Sequence, residues 1–358
     1  MMVGLFLPIY LYQNLPSINY LFLFYVLVYA WALIWLQFVV FWMRVFGADL
    51  TLVLASLCRA VSMFIAPFVV DDPRWIFGLA LFFGMTIAFD WLPYHYTVTA
   101  LSQKKRDFGK KSSYITIMEK LAGAVGPILG ALLITYWGYA WLYGVSAVML
   151  LFSALAPLLD EFDHDHMHFK WSEIAARFQD PGIKKHLLSH GLSVFDITSY
   201  TIVWPLILIG GFGTVMKSGM FQSFTLVIAL IILMWMSRYL DKGNYGVMKI
   251  GSILGSMHWW VRFLFRSPFG LAVAEVLNSL GQVMLWTPFA SLIYQKGVEG
   301  YKMEFFYVRQ LIRLFLSTIS VLFLWIVFNL VPSLEFMMLV FGFVMLGTVG
   351  ILGMFKKA

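Results

Sequence analysis

Residues 78–109, GLALFFGMTIAFDWLPYHYTVTALSQKKRDFG, decide the fold, because an apolar stretch long enough to cross a bilayer runs straight into a basic cluster. Shifted by 192 residues, the stretch superposes on 270–301, GLAVAEVLNSLGQVMLWTPFASLIYQKGVEGY. The opening Gly-Leu-Ala and the Gln-Lys that begins each basic loop match, and hydropathy carries the rest. A shift of about 200 likewise lays FWMRVFGADLTLVLAS, from residue 41, over YLDKGNYGVMKIGSILGS, from residue 239. The chain therefore reads as one unit repeated.

Composition fixes the class of that unit. With 61% hydrophobic residues, 12% charged residues and a mean hydropathy of +0.83, the chain exceeds what a soluble domain can keep in water. Apolar segments fall at 19–43, 49–70, 75–99, 112–137, 139–159, 187–209, 218–237, 247–265, 268–294, 304–328 and 334–355. They are continuous and Gly-rich, without the alternation of a barrel strand, so they predict helices. The net charge of +7 does not point to nucleic acid, because Lys and Arg lie in short clusters between apolar segments. The single cysteine, Cys58, excludes an intrachain disulfide and reads as a small packing residue.

Orientation follows from the basic loops. With LSQKKRDFGKK (101–111) inside, alternate loops carry 17 Lys and Arg inside and 3 outside, with 5 within spans. The opening MMVGLFLPIYLYQN has neither the basic start nor the cleavage site of a signal peptide. It predicts the outer half of a twelfth helix, either short or continued upstream. The expected organisation is an all-α membrane protein of two six-helix bundles, 1–159 and 187–358, with both termini cytoplasmic. A cytoplasmic loop, 160–186, joins them. In that loop WSEIAARF places Trp171, Ile174 and Phe178 on one face of a short interfacial helix that ties the halves together. Two repeated bundles with a cleft between them are a transporter architecture.

Three features now resemble the major facilitator superfamily over essentially the whole chain: the six-plus-six layout, YLDKGNYG and GAVGPILGA. The second, with Asp241 and Lys242, is similar to the second-half copy of that family's gating motif, and the third to its Gly-Pro helix motif. The first-half copy, FWMRVFGAD, keeps Arg44 and Gly47 but lacks the Asp before the Arg. The resemblance implies a secondary transporter in the cell membrane that moves a small solute by alternating access, with proton coupling as a further expectation. It also implies that the first, fourth, seventh and tenth spans line the cavity. No cofactor, catalysis or nucleic-acid partner is expected, and the functional unit is expected to be a monomer.

Candidate site residues follow from charges and polar stripes inside the spans, which are costly in hydrocarbon. Asp90 and Arg59 lie at similar depth, so they can either pair or leave Asp90 for substrate or proton binding. Glu275, Asn278 and Gln282 are spaced three and then four apart on one helix face, which reads as cavity lining or as interhelical bonding. Asp196 and Tyr200 are also four apart. Arg309 and Arg313 form either a snorkelling pair or a positive vestibule for an anion. Gly123, Gly126 and Gly130 share a face for close helix approach, and Pro127 bends the same helix, as packing or as part of the transport cycle. His95 and His258 read as lone packing residues.

The run DEFDHDHMHFKW, from residue 160, alternates His164, His166 and His168 with carboxylates. It reads as a solvated acidic loop or as a weak metal site. The latter is the basis of a rival reading, a polytopic enzyme acting on lipid; a non-transporting scaffold or sensor is a third. No Gly-x-x-x-x-Gly-Lys-Ser/Thr phosphate loop and no His-Glu-x-x-His pattern occurs in the sequence, which argues against ATP-driven transport and metalloprotease chemistry.

Overall fold

The computed structural model describes residues 2–105, 108–159, 169–174, 181–240, 245–298 and 302–353. Asp241, Lys242, His164, His166, His168 and Phe178 lie outside the described residues. The described residues form α1 (Met2–Asn14), α2 (Ile18–Ile65), α3 (Trp75–Lys105), α4 (Phe108–Trp137), α5 (Tyr139–Ser153) and α6 (Pro181–Phe212). Then follow α7 (Val215–Leu240), α8 (Tyr245–Leu264), α9 (Pro268–Val298), α10 (Lys302–Leu330) and α11 (Leu334–Gly353). No strand occurs among them.

Helix is the outcome that an apolar chain in lipid allows, since every backbone amide is then bonded within its own segment. The exposed face of α2 shows where lipid lies. Ile34, Phe38, Phe41 and Val45 recur at intervals of four, three and four and are exposed, whereas Leu36, Val39, Val40 and Met43 are buried. A water-soluble helix would reverse this pattern.

Among the described residues, these eleven helices give twelve candidate spans because α2 contains two. Gly47, at φ 83° and ψ 168°, breaks it into a descending and an ascending limb. That backbone conformation is open essentially to glycine alone. Beyond the turn the Thr51 hydroxyl donates to the Gly47 carbonyl at 2.6 Å. Thus α1 is the first span, α2 the second and third, and α3 to α11 the fourth to twelfth. The seventh span starts at Pro181, inside the stretch expected as linker. The end of the bundle where α3 stops and α4 starts is called the basic end below.

Packing between the halves repeats the symmetry of the sequence. The second span meets the eleventh (α2 with α10), and the fifth meets the eighth (α4 with α7). Advancing each span by six exchanges these two interfaces, as a pseudo-twofold axis requires. At the α4–α7 contact Gly123, Gly126, Pro127 and Gly130 are all buried. A Cβ on Gly219 of α7 would stand 2.7 Å from the Pro127 carbonyl oxygen and 2.5 Å from Ala131 Cβ. Close approach therefore depends on small residues from both helices. Next to the proline, the Ile128 amide donates across the interface to Ser223 Oγ at 2.9 Å.

At the basic end a short piece of the linker joins the halves. Phe169 is buried, and its carbonyl accepts from Arg44 of α2. The Lys170 amide donates to Glu304 Oε1 of α10 at 2.8 Å. The rings of Phe169, Trp171 and Tyr307 form a triangle with centroid separations of 5.0, 5.4 and 5.4 Å. Tyr307 itself donates to Gln37 of α2 at 2.8 Å.

Candidate functional site

The second half holds a polar network sealed inside its own bundle. It is built by the seventh to tenth spans, which are α6 to α9. Asp196, Tyr200 and Trp204 recur every four residues along α6, so one face presents all three. From α8, His258 and Arg262 are likewise four apart, and α9 presents Glu275, Asn278 and Gln282. Solvent exposure is 2% for Asp196, 0% for His258 and Arg262, and 1% for Glu275.

Each carboxylate collects its own donors. Glu275 Oε1 accepts from the Tyr200 hydroxyl at 2.7 Å and from Asn278 Nδ2 at 3.4 Å. Its Oε2 is ion-paired with Arg262 Nη2. The Tyr200 oxygen in turn receives Gln222 Nε2 of α7 at 3.4 Å, and Gln222 Oε1 receives Trp204 Nε1 at 2.7 Å. Asp196 accepts from Trp259 Nε1 at 2.6 Å and from Gln282 Nε2 at 2.9 Å, with His258 Nε2 at 3.4 Å. The Arg262 guanidinium is boxed by rings, 3.9 Å from the Trp204 centroid, 4.9 Å from Trp259 and 5.3 Å from Tyr200. Two carboxylates and one guanidinium leave the network one positive charge short of neutrality. In a sealed apolar bundle such a deficit is costly, and a proton on His258 or on a carboxylate removes it.

The structure thus brings together Asp196, Tyr200, Glu275, Asn278 and Gln282. The side chains bonded to Glu275 and Gln282 all come from the second half, so the α9 stripe makes its bonds between helices of one bundle. Reasoning from the sequence missed Arg262, Gln222, Trp204 and Trp259, and read His258 as packing. The signal available was the four-residue spacing of His258 and Arg262, two ionisable groups on one face of one span.

Asp90 stands apart from this network. Its Oδ2 is 3.1 Å from Arg59 Nη2, with side-chain exposures of 37% and 40%. Of the two alternatives that equal depth leaves open, the structure shows the ion pair. Arg309 and Arg313 of α10 point to α3 in the other half rather than outward to headgroups. Arg309 Nη1 lies 3.3 Å from His95 Nε2, and the Arg313 guanidinium sits 3.7 Å over the Trp91 ring. The His95 ring stacks on Phe306 at 5.5 Å and 5°. Among the described residues, no group of three or more His, Cys, Asp or Glu could hold a metal.

Two repeated bundles, joined along two symmetry-related helix pairs and carrying buried ionisable groups, define a membrane transporter fold. The chain belongs to the Major Facilitator Superfamily, whose sequence profile matches residues 1–302. Among solved structures it is similar to a point mutant of the nucleoside transporter NupG, at 13% identity and a TM-score of 0.74, covering 99% of this chain and 96% of that one. It is also similar to an auto-inhibited POT family peptide transporter, at 13% identity and a TM-score of 0.68, covering 100% and 94%. No curated protein matches the sequence. The protein is a multi-pass membrane protein and a secondary transporter by family.

Proposed function

We propose that the protein couples uptake or export of a small solute to protons, in the cytoplasmic membrane with both termini inside, and that the network around Glu275 and Asp196 carries the proton. The charge deficit of that network supports the reading, since it buries two carboxylates, and the one guanidinium in it pairs with Glu275 alone. A proton on Glu275 cancels the charge that holds Arg262 Nη2. The guanidinium then keeps only its three aromatic faces, and the bond between α8 and α9 weakens. Asp196 and His258 form a second protonation point, one helical turn before Tyr200 on α6. Helices that separate and rejoin on protonation fit a cycle in which one half rocks against the other.

Proteoliposomes test this directly. Purified protein with an imposed proton gradient is expected to concentrate its solute, and Glu275→Gln is expected to abolish concentration while leaving solute exchange at equal concentrations intact. If Glu275→Gln and Asp196→Asn both retain gradient-driven accumulation with unchanged pH dependence, proton coupling through this network fails.

A further inference from the structure

A second set of cations lies where the halves meet, outside the network above, with Arg309 buried and Arg313 half-buried. Arg309, Arg313 and Ser317 recur every four residues on one face of α10, and Trp91 and His95 do so on α3. Arg313 is 11 residues from the start of α10, or about 16 Å along the axis, which puts it near mid-membrane. One turn further on, Ser317 Oγ accepts from Thr198 of α6 at 3.3 Å, and the Tyr29 side chain of α2 lies beside both. Four spans therefore converge here, the second and fourth from one half and the seventh and eleventh from the other.

The charges do not balance. Arg313 Nη1 is sealed from solvent and has no hydrogen-bond partner, and no described carboxylate lies within ion-pair distance of its guanidinium. Asp90 exerts a coulombic pull on Arg313, but its Oδ2 is engaged by Arg59 at 3.1 Å. His95 adds no negative charge. An arginine donates only, so at the Arg309 contact His95 Nε2 is the acceptor and the ring is neutral. A guanidinium at mid-membrane that meets a ring face but no carboxylate costs several kcal/mol unless an anion meets it.

We propose that this junction is the solute-binding site and that the solute is an organic anion: its carboxylate or phosphate pairs with Arg313 Nη1, Arg309 reinforces the field, and Trp91 and the Tyr29, Thr198 and Ser317 hydroxyls contact the remainder. This rests on the transport reading and gives it a substrate class. The site also differs from the proton network, so anion binding and proton coupling fail separately under mutation.

The test uses the full-length protein in nanodiscs of phosphatidylcholine, with thermal unfolding followed across a panel of mono- and dicarboxylates, phosphate esters, and their neutral and cationic analogues at constant chloride. At least one anion is expected to raise Tm, with apparent affinity falling about 10- to 100-fold in Arg313→Gln, the loss of one charge-assisted contact. Arg313→Lys is expected to retain part of the shift. Without ligand, Arg313→Met is expected to unfold at or above the parent's temperature, because it removes an uncompensated charge. The proposal is overturned if only neutral or cationic solutes stabilise, if anion shifts survive in Arg313→Gln, or if stabilisation appears only when phosphatidylglycerol replaces phosphatidylcholine. Uptake of the same panel into proteoliposomes separates the two readings. A neutral solute that is transported refutes the anion assignment alone, whereas an anion bound through Arg313 but never transported refutes transport alone.

Discussion

Removing Arg262 is the most informative perturbation of the sealed network, because its guanidinium is 0% exposed and supplies the ion pair to Glu275 Oε2. In Arg262→Met the replacement fills most of the volume between Trp204 and Trp259, so the loss is electrostatic. Oε2 is left buried without a donor, and breaking one side of a buried pair costs about 3–5 kcal/mol. Three ring faces lose their cation, which adds about 1–2 kcal/mol. Glu275→Leu strands the guanidinium instead at about 3–5 kcal/mol, and about 1–3 kcal/mol more is lost as Asn278 Nδ2 and the Tyr200 hydroxyl proton lose their acceptor. In the double variant neither charge remains. The residual penalty is about 2–5 kcal/mol, from those same two donors and from the three ring faces that lose their cation. The double variant is therefore expected to be more stable than either single one. Denaturant titration in mild-detergent micelles, read by tryptophan fluorescence, measures all four corners of the cycle. Single-variant losses that add to within about 0.5 kcal/mol in the double would show that the two charges do not depend on each other, and the network argument would fall with them.

Three other outcomes follow from local geometry. Gly47→Ala forces a side chain onto φ 83° and ψ 168° and is expected to cost about 1–3 kcal/mol, read as a fall in Tm. A Cβ on Gly281 of α9 would stand 2.6 Å from the Gly255 amide nitrogen and 2.9 Å from the Gly251 oxygen of α8, so Gly281→Ala is expected to lose about 1–3 kcal/mol and to disturb the Arg262–Glu275 contact between the same helices. Phe169→Ala opens the aromatic triangle with Trp171 and Tyr307, and amide exchange in 303–309 is expected to rise at least tenfold, since loss of a buried Phe costs about 3–5 kcal/mol. Unchanged exchange there would show that the linker rests on the bundle without holding it.

What the sequence disclosed about this chain depended on the range of the interaction involved. Spans were legible because hydropathy over about 20 residues is a local property that lipid enforces. Gly47 was legible only as a loop, and its role as the hinge of one double-length helix needed the backbone angle. Pairing within one span was also legible: Glu275, Asn278 and Gln282 share a face, as do Asp196 and Tyr200, by helical spacing alone. Partnership between spans was not, because it depends on helix rotation, and rotation in this bundle is set by small-residue contacts such as Gly251 and Gly255 against Gly281. Those glycines bring α8 close enough for Arg262 to reach Glu275. A bulkier residue there would push the guanidinium away and leave the carboxylate to Tyr200 and Asn278. The same contacts that let α8 and α9 pack thus determine where the buried charge is neutralised, so packing and charge neutralisation in the second half are one constraint.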